Sequence, residues 1–319
     1  MSIGRRSLLV GGVFAAGCAS VDEPGAAGGP RVQRVLGGFL SAVVPGAAVL
    51  PLPGQPLPLP RPGSGMFVRW TAPSALALRG AELLVADLGG QRLWRADLIT
   101  QSVTGVPGAP VALNTQLLLG PDRSAWVLDP VSRQVLRFGL DGRLLQTWRS
   151  ASAQPAGLAL LDAGATLVVA DAAQAQWLEL RSGGAWAQPV LPRHADGRRV
   201  SGVDALAAGR EHLFVLDRAA RAVHRVARDG QVLETRAIAP PAQPVALAVD
   251  RLDRAWLLDA TGRTLLRLDA GGELHTLSAE ALGATQLGGL AVDDHGVALS
   301  DRLSGQVLLL PLPAAGASR

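Results

Sequence analysis

Lysine and tyrosine are absent from this 319-residue chain, so all 30 of its basic residues are arginine. No side chain therefore titrates between histidine and arginine, and a formal net charge of only +4 is enough to give a pI of about 10.9. The high pI thus reflects a missing titration range and not a large excess of positive charge. We therefore expect no nucleic-acid partner, because phosphate binding needs a larger basic surface.

Motifs for metal binding and for nucleophilic catalysis are also lacking. The five histidines show no HxH or HExxH spacing, and a zinc site needs three converging ligands. No GxSxG nucleophile motif is present. We therefore expect neither a metal nor a cofactor, and the sequence favours a protein that is not an enzyme.

Cysteine is nearly absent too, and the only one, Cys18, follows a segment typical of an export signal. Arg5 and Arg6 precede a weakly apolar run over residues 7–17. At about 11 residues this run is much shorter than the ~20 needed to span a bilayer. Residues 1–17 are therefore predicted to be a signal peptide.

The sequence AAGC at residues 15–18 resembles the lipobox of bacterial lipoproteins. The resemblance implies cleavage before Cys18, a diacylglycerol on its thiol and a fatty acyl chain on the new amine. Two or three such chains anchor a protein firmly. Ala19, at the position after the cysteine, implies an outer-membrane lipoprotein facing the periplasm or the surface. GRRSLL also resembles a twin-arginine signal, and both that export route and the general secretory route stay open.

Residues 18–65 differ in composition from the rest of the chain and are predicted to form a tether. Six prolines fall between Pro51 and Pro62, which favours an extended polyproline II spacer. Upstream, the apolar segment RVQRVLGGFLSAVVPGAAVL is interrupted by glycine and proline, and an alternative places it along the outer edge of the main domain. Residues 314–319 are a short tail.

A repeat of about 42 residues begins at residue 66. Six apolar strings, among them LLVAD, AWVLD and LFVLD, each end in aspartate, and the spacings between these aspartates are 42, 42, 46, 42 and 42 residues. The six aspartates are Asp87, Asp129, Asp171, Asp217, Asp259 and Asp301. Each unit contains signals for four short strands, which is the period of a propeller blade.

These units resemble NHL repeats, and the resemblance covers residues 66–313. An arginine stands eight residues beyond the aspartate in four of the units, at Arg95, Arg137, Arg225 and Arg267, whereas Glu179 and Leu309 depart from the pattern. The resemblance implies an all-β protein, a six-bladed β-propeller of four-stranded antiparallel blades, and we expect a monomer. Because an unpaired edge invites aggregation, the ring should close, and MFVRW at 66–70 is predicted to supply the fourth strand of the last blade.

The six aspartates are interpreted as structural turn caps. A carboxylate at a strand end can accept hydrogen bonds from the backbone amides of the following turn. One such residue per blade suits a repeated structural device, whereas a metal site would draw different ligands from different blades.

Charges sort between the two faces of such a propeller. Face A carries the turns after the second strands and the loops between blades, and face B carries the other two kinds of turn. Face A is rich in arginine, and the extra residues between Asp171 and Asp217 fall there, in LPRHADGRRVSG. The predicted partner-binding cluster is Arg193, His194, Arg198, Arg199, Arg218 and Arg221. It indicates an envelope binding or scaffold protein that presents this face to a protein or an anionic glycan.

An enzymatic alternative rests on the six-bladed relatives, which include metal-dependent lactonases and lyases. Asp204 is the only acid in a predicted first strand, and Asn114 is the only asparagine of the chain. With His194, these residues are the weak catalytic candidates for a channel-centred hydrolase or lyase. A third possibility is a redox-cofactor propeller exported in folded form.

Overall fold

The computed structural model describes residues 34–37, 70–100, 102–181, 183–294 and 296–312. These residues form 23 β-strands and two 3-10 helices of three residues each. The strands make six antiparallel sheets that follow one another along the chain. Within the described residues, no helix has the length and apolar character that a membrane crossing requires.

The six sheets are the blades of a propeller, and the first strand of each blade lies at the centre. Neighbouring blades meet through their first strands, as β2 does with β6 and β21. Blade one comprises β2 (Pro73–Arg79), β3 (Glu82–Asp87), β4 (Arg92–Asp97) and β5 (Ser102–Val106). Blade two comprises β6 (Gln116–Leu119), β7 (Ala125–Asp129), β8 (Gln134–Phe138) and β9 (Leu144–Arg149). The expected all-β propeller of six blades is therefore confirmed.

Blades four and five repeat the four-stranded arrangement. Blade four comprises β13 (Ala205–Ala208), β14 (Leu213–Asp217), β15 (Ala222–Val226) and β16 (Val232–Ala237). Blade five comprises β17 (Pro244–Val249), β18 (Ala255–Asp259), β19 (Thr264–Leu268) and β20 (Leu274–Ser278). The 3-10 helices Asp162–Gly164 and Glu280–Leu282 lie in connections.

Blade three departs from the expected four strands. Its regular strands are β10 (Pro155–Leu161), β11 (Thr166–Asp171) and β12 (Gln176–Arg181). In place of a fourth strand, Trp186 and Val190 form isolated bridges to Leu180 and Trp177. Pro189 has no amide hydrogen to donate, so the ladder is interrupted between these two bridges.

Blade six closes the ring with a strand from an unexpected place. β21 (Leu287–Val292), β22 (Gly296–Asp301) and β23 (Gln306–Pro311) are followed outwards by β1 (Arg34–Gly37), which pairs antiparallel with β23. The prediction that MFVRW supplies this strand is wrong, because residues 34–37 occupy the position beside β23. Residues 66–69 of that segment lie outside the described residues. The pairing instead matches the alternative in which the upstream apolar segment lies along the outer edge of the domain.

The core consists of six apolar clusters, one between each pair of neighbouring blades. Side chains of a strand alternate between its two faces, and the second strand of each blade is covered on both. In β3, Leu83 and Val85 pack towards blade six, whereas Leu84 and Ala86 pack towards blade two. This double burial explains why the second strands are continuous apolar runs such as ELLVAD.

Small residues let the first strands of blades one and six come together. A Cβ atom on Gly289 would lie 1.6 Å from the carbonyl oxygen of Ser74, so only glycine fits there. Ser300 Oγ donates a hydrogen bond of 3.1 Å to the same carbonyl oxygen. Backbone contact between the first and last blades therefore holds the ring closed.

Candidate functional site

The six aspartates sit at the ends of the second strands, on face A, and all are buried. Asp301 shows their function most fully. Its carboxylate accepts hydrogen bonds from the backbone N–H of Thr285 at 2.7 Å and Gln286 at 3.0 Å, in the loop that enters the blade. It also accepts from the N–H of Leu303 at 3.1 Å, in the turn that follows. The cap therefore fastens the incoming loop as well as the turn.

The bonds to the incoming loop were not predicted from the sequence, and they recur in four other blades. The donors lie 15–18 residues before each aspartate, at Thr71 and Ala72 for Asp87, Ala153 and Gln154 for Asp171, Ser201 for Asp217, and Gln243 for Asp259. In blade two, Asp129 accepts only from its own turn, from Val131 N–H at 3.0 Å and Ser132 Oγ at 2.5 Å.

These bonds favour the ionised form of three of the caps, Asp217, Asp259 and Asp301. Burial opposes ionisation of Asp259 and Asp301, but the hydrogen bonds from backbone N–H groups outweigh it, and the pKa of each carboxyl lies below its ordinary value. The pKa of the Asp217 carboxyl also lies below its ordinary value. All six carboxylates accept hydrogen bonds from the protein's own turns or incoming loops, as expected of structural caps.

The inserted loop of the predicted partner-binding cluster is held firmly by its backbone. Arg193 forms a bridge to Arg199. Its N–H donates to the Gly230 carbonyl at 2.8 Å, and its own carbonyl accepts from Val232 N–H at 2.8 Å. His194 N–H donates to the Arg198 carbonyl at 2.8 Å, which closes a short hairpin. This part of the loop is thus tied to the turn between β15 and β16, which belongs to face B, whereas Arg199 reaches the face A turn of blade three.

Two arginines of the cluster have carboxylate partners. Arg198 Nε lies 2.6 Å from Asp196 Oδ2, with both side chains exposed. Arg218 Nη2 lies 2.8 Å from Asp204 Oδ1, and the Arg218 N–H donates to Oδ2 of the same carboxylate. Each of these pairs reduces the positive charge of the cluster.

The other two arginines that reach a partner bind carbonyl oxygens. Arg199 Nη2 donates to the Gln174 carbonyl in the second turn of blade three at 3.0 Å, and Arg221 Nη2 donates to the Ala242 carbonyl at 3.0 Å. A carbonyl does not neutralise a guanidinium, so both residues keep their charge. Arg199 is exposed.

His194 is packed and not free. Its ring meets the ring of buried His224 edge-on, with the centroids 5.4 Å apart. His224 Nδ1 shares a hydrogen bond of 2.9 Å with Thr235 Oγ1, and its Nε2 lies 3.7 Å from Asp217 Oδ2. The inserted loop is therefore in contact with the cap of blade four through these two histidines.

The three weak catalytic candidates have separate partners. Asp204 forms an ion pair with Arg218, and the His194 ring packs on His224. Asn114 is exposed in the loop that enters blade two, with a positive φ of 65°. No described contact joins any two of the three, so the described structure does not show them as a catalytic group.

One described group has the composition of a metal site: Asp269, Glu273 and His275, in the outer turn of blade five. Asp269 already accepts hydrogen bonds from Arg267, at 2.7 Å from Nε and 3.1 Å from Nη2. His275 Nε2 lies 3.1 Å from the same carboxylate. We interpret this group as an ion-pair cluster.

The centre of the ring holds a cavity of about 500 Å³ that is lined by the first strands of all six blades. One leucine from each blade lies in the same register, opposite the residue two places before the cap aspartate: Leu76, Leu117, Leu158, Leu206, Leu247 and Leu290. The lining runs from this leucine ring to the turns between first and second strands. The cavity therefore belongs to face B.

The residues around the mouth of this cavity were not singled out from the sequence. Arg79, Arg210 and Arg251 lie there with exposed side chains. These three arginines share one feature in the sequence, which is that each lies at or just after the end of a first strand. This feature is visible only once the strands have been placed.

No protein-family model matches the sequence, and none of the curated proteins matches it. Solved structures do match the fold. Virginiamycin B lyase from Staphylococcus aureus aligns at 13% identity and a TM-score of 0.55, over 76% of this chain and 96% of that one. A gluconolactonase from Xanthomonas campestris aligns at 17% identity and a TM-score of 0.56, over 77% and 87%.

A third match has no assigned activity. A structural genomics protein of unknown function from Bacteroides thetaiotaomicron aligns at 12% identity and a TM-score of 0.58, over 76% of this chain and 70% of that one. At these identities the likeness establishes the fold alone. The class that fold and site define is thus a six-bladed β-propeller with an arginine-bearing inserted loop and a central cavity.

Proposed function

We propose that this protein is a lipid-anchored propeller of the bacterial cell envelope that binds an anionic partner through face A. The observation that best supports binding of an anionic partner is the inserted loop of residues 190–201. Its backbone is fixed by hydrogen bonds at both ends, while Arg193, Arg198 and Arg199 are exposed. A loop that is already ordered loses little conformational entropy on binding.

The charge of the loop supports an anion as partner. The cluster holds five arginines, and Asp196 and Asp204 are the two carboxylates that pair with them. Arginine binds carboxylate and phosphate groups with two parallel hydrogen bonds. An acidic protein surface and a polyanionic envelope glycan share this chemistry.

The anchor is supported by sequence alone, since Cys18 lies outside the described residues. Acylation there would hold a monomeric propeller at the outer membrane. Replacement of Cys18 by alanine should release the protein from the membrane fraction. If the Cys18→Ala variant stays in that fraction, the anchoring part of the proposal is wrong.

Binding through face A is tested by a charge reversal with a matched control. The double variant Arg198→Glu, Arg199→Glu reverses two charges of the loop. Arg143→Glu with Arg149→Glu does the same in blade two, where both side chains are exposed. Crosslinking in native membranes should capture a species that the loop variant loses and the control retains.

Identification of the captured species separates a protein from a glycan. If both double variants capture the same species at the same yield, face A is not the binding surface.

A further inference from the structure

The central cavity combines apolar walls with unused backbone polar groups. Half-buried side chains such as Leu78, Leu118 and Ala248 supply the apolar part of the lining, whereas most of the leucine ring is buried between the blades. Each first strand is the innermost of its blade and pairs only with the second strand, so its other edge faces the channel. Backbone N–H and C=O groups along such an edge need hydrogen-bond partners from water or a ligand.

Gln116 adds a side-chain amide to this lining and is its one uncharged polar side chain. Its Nε2 donates to the Asn114 carbonyl at 3.3 Å. Its Oε1 accepts no described hydrogen bond. The interior can therefore bind a molecule that is largely apolar but carries amide groups.

The mouth of the cavity carries three arginines that form no ion pair with any described carboxylate. Among the described residues, Arg79, Arg210 and Arg251 have no acidic group within 4.0 Å and no side-chain hydrogen bond. A free anion with its charged end at the mouth would find guanidinium groups from blades one, four and five. Such pairs are favourable because arginine keeps its charge and offers several donors.

The acidic residues at the mouth are mostly engaged elsewhere. Asp250 is buried and binds Arg254 Nε at 2.6 Å and Trp256 Nε1 at 2.9 Å. Asp293 accepts from Gly80 N–H at 2.6 Å and from Gly296 N–H at 2.9 Å. Asp294 is exposed and lies in the same lining. With Asp250 paired to Arg254, the three arginines stand against two carboxylates, Asp293 and Asp294, so the described mouth residues keep one net positive charge.

We infer that the channel binds an amphipathic carboxylate with an amide in its chain, of the class of N-acyl amino acids. The acyl chain would lie against half-buried lining residues such as Leu78 and Leu118, the amide would bond to a free strand edge, and the carboxylate would pair with the mouth arginines. A cavity of about 500 Å³ lies within the usual range for small-molecule sites, roughly 300–1,000 Å³. This site opens on face B and is independent of the partner proposed for face A.

Isothermal titration of the full chain with N-octanoylglycine tests the inference. The Cys18→Ser variant serves as the protein, because it has no acylated thiol and needs no detergent. We expect saturable binding. The methyl ester of the probe should bind at least ten-fold more weakly because it lacks the charge, and undecanoate, of similar length, should bind more weakly because it lacks the amide.

Two variants locate the site. Arg79→Ala, Arg210→Ala and Arg251→Ala together should weaken binding at least ten-fold, whereas Arg143→Ala with Arg149→Ala should leave it unchanged. Ala248→Phe should abolish binding by filling the channel, since Ala248 lines the cavity and belongs to no core cluster. Absence of binding to the parent protein, or binding that survives Ala248→Phe in a folded variant, would overturn the inference.

Discussion

Arg228, in the outer turn of blade four, donates from Nη2 to Glu179 Oε2 in the third strand of blade three at 3.2 Å. Its Nη1 also binds Asp162 at 2.8 Å. Glu179 stands where the third strands of four other blades have arginine. Those arginines pair with acids of their own blades: Arg95 with Glu82, Arg137 with Asp122, Arg225 with Glu234, and Arg267 with Asp269. Blade three thus keeps an ion pair at this position, but its third strand supplies the acid, and the arginine comes from blade four.

The Glu179–Arg228 pair predicts an asymmetric response to substitution. Glu179 is buried, whereas Arg228 is about half exposed. Arg228→Ala leaves the buried carboxylate without a side-chain partner and should cost about 1–3 kcal/mol of unfolding free energy. The double variant Arg228→Ala, Glu179→Leu should recover much of that loss, as measured by denaturant unfolding. Equal stability of the single and double variants would show that the pair does not couple the blades.

The cap aspartates predict acid sensitivity. The pKa of the Asp301 carboxyl lies below its ordinary value of 3.8 in the folded protein. The corresponding stabilisation is present above about pH 4 and is lost as the pH falls through the folded-state pKa. Asp301→Asn should lower Tm at pH 7, and the difference from the parent should shrink as the pH falls from 4 to 2. A difference that stays constant with pH would contradict the prediction.

The six caps should not contribute equally. Asp259 accepts from Gln243 N–H at 2.6 Å in addition to two donors in its own turn, whereas Asp129 accepts from its own turn only. Asp259→Ala should therefore cost more than Asp129→Ala, by about 1.5–3 kcal/mol, the worth of one hydrogen bond to a charged group. Thermal melts would show a gap of roughly 3–12 °C for a domain of this size. Metal content should not change in either variant.

Ring closure depends on the absence of one side chain. Gly289→Ala places a methyl group on the Ser74 carbonyl oxygen and should destabilise the protein severely, by forcing apart the first strands of blades one and six. Gly271→Ala is the matched control, because a Cβ there meets nothing within 4 Å. Size-exclusion chromatography and thermal melts should separate the two variants clearly. A normal melting temperature for Gly289→Ala would mean that the two blades meet differently.

The sequence predicted the fold well because each blade carries its own signal. An apolar second strand, buried on both faces, ends in an aspartate that recurs about every 42 residues, and that periodicity alone indicates six equivalent units. The sealing strand was misplaced because the four residues Arg34–Gly37 have no repeat to match and pair with a strand far along the chain. Local pattern carries no information on such a pairing.

The candidate site could be predicted from the sequence only in part, for a related reason. The loop arginines could be grouped because they lie close in sequence, although Asp204, the carboxylate partner of Arg218 in blade four, was interpreted as a catalytic candidate. Arg79, Arg210 and Arg251 come from three blades, and only the closed ring brings them to one mouth. Sequence reasoning reaches groups within one repeat more easily than groups assembled across several.

The pairing of Arg34 with Leu309 also orders events during synthesis. A ribosome makes β1 before every other described strand and its partner β23 after all of them. Until translation reaches residue 311, blade six has no third strand, and the early segment has nothing to pair with. An interrupted translation product therefore cannot complete the last blade, and its unpaired strand edges would make it prone to aggregation.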